Sequence, residues 1–196
     1  MGYKISWLAA RGMPPESLLD HFGLMSTGEA DEANEAAFSI AELPTGWTIL
    51  WSNDQAFPTI ACCQALSYIA PVVSCWVNET VMFSSCNYFE NGDSRWFVGH
   101  DSQNGIYHIE SEGILPSKFT EVSERLFAAQ ESEGGEASDV DLVFDIPLEL
   151  AESICGFKHD KWQFDWGEPK FIAAAGSTSG ADGAKRGLFK RFFRGN

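Results

Sequence analysis

The sequence predicts an α+β fold, an antiparallel sheet with a central four-stranded meander over 72–111 and about four helices packed on it. Three observations predict it. The segments 72–78, 80–89, 94–100 and 105–111 are each rich in β-branched and aromatic residues. Two of the breaks between them carry Asn-Gly, at Asn91-Gly92 and Asn104-Gly105, which reaches the positive φ of tight turns at little cost. Helical stripes are clear elsewhere, best over 118–131, where Phe119, Val122, Leu126 and Phe127 share a face and Glu121 and Arg125 stand i,i+4 on the other side.

In chain order, 3–9 alternates Tyr3, Ile5 and Trp7 with Lys4, Ser6 and Leu8, a strand with one face more buried than the other. Pro14-Pro15-Glu16 opens a short helix over 16–22, and Gly23 caps it. Residues 25–36 are polar, acidic and aperiodic, and read as an exposed loop before a short strand at 37–40. Turn chemistry at Pro44 and Gly46 precedes 47–51 (WTILW), a strand apolar enough to be buried on both faces. Pro58 leads an apolar helix over 59–69 that stops before Pro71. After the helix at 118–131 come a Gly, Ser and Glu loop, a strand or extended edge at 140–144, and an amphipathic helix over 148–155 that Gly156 ends. Residues 157–171 read as irregular aromatic structure, with Lys158, Lys161 and Lys170 near Asp160, Asp165 and Glu168. Residues 1–172 are thus expected to form a single domain, 173–184 (AAAGSTSGADGA) a flexible linker, and 185–196 a basic amphipathic tail.

At 196 residues and 44% hydrophobic content the chain can bury one proper core. No run approaches the roughly 20 apolar residues of a membrane-spanning helix, and no secretory h-region opens it, so a cytoplasmic protein is expected. Met1 to Ser6 matches the bare myristoylation pattern, but a strand at 3–9 explains those residues better. Five cysteines, scattered through apolar stretches without a C-x-x-C pair, read as reduced core thiols. No metal-ligand set and no cofactor loop stands out, and none is expected.

Charge is the strongest global signal. Between Arg11 and Arg95 there is no Lys or Arg, while eleven acids fall there. Residues 1–184 carry 8 bases against 28 acids, a net −20, and the tail carries +5. Binding of nucleic acid by such a body is excluded on sign, since phosphate neutralisation needs cations. A one-signed field instead suits rapid capture of a basic partner. The candidate partner-facing carboxylates are Glu29, Asp31, Glu32, Glu35 and Asp54.

The acid-only stretch around 28–35 (GEADEANE), the β-α opening and the segment 140–151 (VDLVFDIPLELA) resemble the small acidic α+β immunity proteins of bacterial polymorphic toxin systems. The resemblance implies a binding and inhibitory role, with a basic protein, a toxin in that group, as partner. Two other classes compete with it. A peripheral membrane- or scaffold-associated protein would dock through Lys185, Arg186, Leu188, Phe189, Lys190, Arg191, Phe192, Phe193 and Arg194, whose apolar residues share a helical face opposite the cations. A small hydrolase or transferase would use His100, Asp101 and His108, with Glu110 nearby on the same strand, against the simpler reading that polar strand ends face solvent. An exposed first strand or meander edge is also compatible with pairing to a second copy.

Overall fold

The computed structural model describes residues 2–176, and β1 (Lys4–Arg11) runs through the middle of its sheet. The elements that follow are α1 (Pro15–His21), β2 (Leu24–Ala30), β3 (Phe38–Glu42), β4 (Trp47–Ser52), α2 (Ile60–Ser67), β5 (Val72–Asn78), β6 (Phe83–Glu90), β7 (Asp93–Asp101), β8 (Glu110–Gly113), α3 (Lys118–Glu133), α4 (Ile146–Cys155) and β9 (Ile172–Gly176). One nine-stranded antiparallel sheet results, in the order β2-β9-β3-β4-β1-β5-β6-β7-β8.

Helices cover both faces. On one, Trp7, Ile49, Trp51, Val73, Cys75 and Cys86 pack under Val122 and Leu126 of α3 and the apolar side of α4. On the other, Leu8, Leu50, Val72 and Phe89 meet Leu18 and Leu19 of α1 and Cys63 and Leu66 of α2. Covering both faces corrects the expectation for 3–9: Trp7 and Leu8 point opposite ways and are both fully buried. All five cysteines are free and buried.

The four segments expected as a central meander are instead one flank of a sheet more than twice as wide. Two of them also start late. Met82 takes φ +50, so the chain is still turning there and β6 begins at Phe83. After β7 the Asp101 carboxylate accepts from the Gln103 amide at 3.0 Å, which starts a tight turn and delays β8 to Glu110.

Three further expectations are corrected. Half of the loop expected over 25–36 is strand β2. Residues 140–144 are not a strand: Gln130 of α3, fully buried, donates to the Val140 carbonyl at 3.0 Å and accepts from the Leu142 amide at 2.8 Å, satisfying groups that a ladder would otherwise pair. The domain boundary at 172 falls inside β9, whose Ala173 and Ala174 pair with Ser39 and Phe38 of β3 while Ala174 and Ala175 pair with Ser26 and Met25 of β2. Small residues that look like a linker by composition suit a strand squeezed between two neighbours. The rest of the expected linker and the whole basic tail lie outside the described residues.

Candidate functional site

Strand β2 is an edge of the sheet, and every residue from Met25 to Ala30 is exposed. Its register shifts between Ser26 and Ala30, where Gly28 takes φ +76, and the Thr27 hydroxyl donates to the Ala173 carbonyl at 3.1 Å to hold the kinked strand on β9. Beyond the strand, Asp31 turns its carboxylate onto its own loop. It accepts from the Glu35 amide at 2.9 Å, the Ala36 amide at 3.1 Å and the Ser39 hydroxyl. Burial alone would push the Asp31 carboxyl up, but these three donors outweigh it and hold it below its ordinary range. Asn53, at the end of β4, donates to the Asn34 carbonyl at 2.7 Å and the Ala36 carbonyl at 2.6 Å. The loop is therefore fixed from two sides.

On this frame Glu29, Glu32 and Glu35 are exposed and form no ion pair among the described residues. Two of the five expected carboxylates do other work. Asp31 is consumed by the loop. Asp54 is exposed, but it accepts from the Ala56 amide at 2.9 Å and closes the turn leading toward α2. No protein-family model, curated protein or solved structure matches the chain. Its functional reading therefore comes from its own geometry.

The histidine cluster is assembled differently from what the sequence suggested. His100 does not face solvent. It is fully buried, with Nε2 2.9 Å from an Asp141 carboxylate oxygen and Nδ1 2.8 Å from the His108 carbonyl. Each ring nitrogen thus has an oxygen partner, one from a side chain and one from the backbone. The His108 ring accepts from the Asp101 amide at 3.2 Å, and Asp101 caps the following turn. These groups tie the β7–β8 connection to the segment before α4, and the His100 ring has no solvent-facing atom to offer a substrate. Asp141, 41 residues away from His100, carries no local signal that pairs it with that ring.

The cations are also placed by the fold. Lys158 is buried between Asp145 at 2.9 Å and Asp160 at 3.1 Å. Burial pushes its ammonium down, and the two carboxylates together more than reverse this. Lys161 pairs with Glu152 rather than a neighbour in 157–171, and Arg125 pairs with Glu149 rather than Glu121, which takes Lys118. No described helix is long and apolar enough to cross a membrane.

Proposed function

We propose that this chain is an acidic binding protein that captures a basic protein partner, in the inhibitory manner of the immunity proteins it resembles. The observation that carries the reading is the exposed edge of β2 with the clamped loop after it, which present Glu29, Glu32 and Glu35 with no cation paired to them among the described residues. Carboxylates held in place before binding lose less conformational freedom on association, so more of their attraction survives as affinity. Beside them β2 offers a row of backbone groups unpaired among the described residues and the half-exposed Met25, which suit an extended basic segment of the partner. A second copy of the same chain would bring like charge to that edge.

The test is affinity capture from the source lysate with the wild-type chain and the Glu29→Lys, Glu32→Lys, Glu35→Lys triple variant as parallel baits. One basic protein retained in stoichiometric amount by the wild type, lost with the triple variant and released by salt, is the expected result. With that protein purified, the triple change slows association by about tenfold or more at low salt. Equal retention by both baits, or no basic protein on either, overturns the reading.

A further inference from the structure

At the opposite side of β1 from its N-terminal end, where Arg11 stands directly across from Trp47 of β4, the sheet and α4 leave a hollow of about 350 Å³. Arg11, Trp47, Tyr88 and Trp96 line it, with Pro116 and Ile154. Tyr88 and Trp96 are cross-strand partners on β6 and β7, stacked at 5.9 Å with planes 11° apart. Trp96 and Trp47 are buried and Tyr88 is part-exposed, so the phenol ring gives this wall most of its aromatic surface.

Among the described residues, Arg11 is the one charged residue of its lining. Of the eight Lys and Arg in 1–184, Lys118, Arg125, Lys158 and Lys161 are ion-paired, whereas Lys4, Arg11, Arg95 and Lys170 make no ion pair among the described residues. Burial and then Glu90 push the Tyr88 phenol up, and the Arg11 and Arg95 guanidinium groups pull against them. A guanidinium beside aromatic faces matches a ligand with both a flat apolar body and a negative group. Hollows of about 300 to 1,000 Å³ hold small organic ligands, so the volume here is enough for one or two fused rings.

We infer that this hollow binds a small planar organic acid, its ring against the Trp47, Tyr88 and Trp96 side chains and its carboxylate on Arg11. The site shares no residue with the acidic loop after β2, so its test and the partner test succeed or fail separately.

The probes are benzoate and indole-3-acetate, with benzamide and indole-3-acetamide as neutral counterparts, titrated against the full chain while the indole N–H resonances are followed by NMR. Saturable shifts at Trp47 and Trp96 are expected, with Trp162, 83% exposed and outside the hollow, as the control. Each amide should bind about tenfold or more weakly than its acid, and Arg11→Gln should weaken the acids by about the same factor. Arg11 is exposed, so the variant should keep the fold, and the comparison of acid with amide stands on the wild type alone. No saturation by either acid up to about 10 mM, equal binding of acid and amide, or acid binding unchanged in Arg11→Gln would overturn the inference.

Discussion

At Asp31 three donors converge on one carboxylate: two amides from its own loop and the buried hydroxyl of Ser39. Its sequence neighbours Glu29, Glu32 and Glu35 have the same chemistry and none of these contacts, so four carboxylates within seven residues divide into one that builds the loop and three displayed by the loop and the end of β2. Asp31→Asn turns an acceptor of three bonds into a group with its own N–H donors, and should cost about 1–2 kcal/mol in chemical denaturation at neutral pH. The dependence on pH gives the cause. A carboxyl held below its ordinary 3.8 in the folded state contributes stability above that value and loses it as pH falls through the folded value. The gap between wild type and Asp31→Asn should therefore be level near neutrality and shrink in acid. A gap that stays constant into strong acid would mean that the charge on Asp31 is not what holds the loop.

Among the elements, β8 is the most weakly held by its own side chains, with all four residues exposed at the edge of the sheet. What places it is backbone. Gly113 takes φ +80, and a Cβ there would lie 2.2 Å from the Arg95 carbonyl oxygen on the neighbouring strand. Gly113→Ala combines a left-handed conformation with a clash against main chain, and should cost about 1–3 kcal/mol. Hydrogen exchange reads the effect by element: amides of β8 and their partners on β7 lose protection, while β1, β4 and β5 keep theirs. Unchanged protection at β8 would show that the edge strand tolerates a side chain there. The segment before α4 makes the same point in reverse, since a side chain of α3, Gln130, provides the hydrogen bonds that stop 140–144 from being a strand.

For the whole molecule, the decisive pairing joins the segments 24–30 and 38–40 to 172–176, more than 100 residues later. Strand β9 lies between β2 and β3. A chain ended at Phe171 leaves β2 with no neighbour and opens β3 to solvent. It should melt at least about 5 °C below a chain ended at Gly176, with β2 amides exchanging freely. Equal melting temperatures would mean that β9 adds nothing to the sheet. Loss of β2 would also disperse the acidic loop that follows it, so the same truncation should abolish capture of a basic partner while the distant Arg11 hollow keeps its aromatic wall.

The sequence by itself determined the α+β class, the positions of four helices and most strands, and the exclusion of Lys and Arg from 12–94. Those are local properties: a helical stripe repeats every three to four residues and a strand alternates every two, so short windows carry them. It also picked out Glu29, Glu32 and Glu35 as exposed acids, because polarity and aperiodicity mark surface. Tertiary structure alone decided that the sheet has nine strands and that AAAG belongs to one of them. It alone set Asp141 against His100, and Arg11 beside a wall made by Tyr88 and Trp96. The reason is common to all four: ladder and side-chain contacts join residues tens to more than a hundred positions apart, and neither composition nor periodicity encodes which distant segment fills the partner's place.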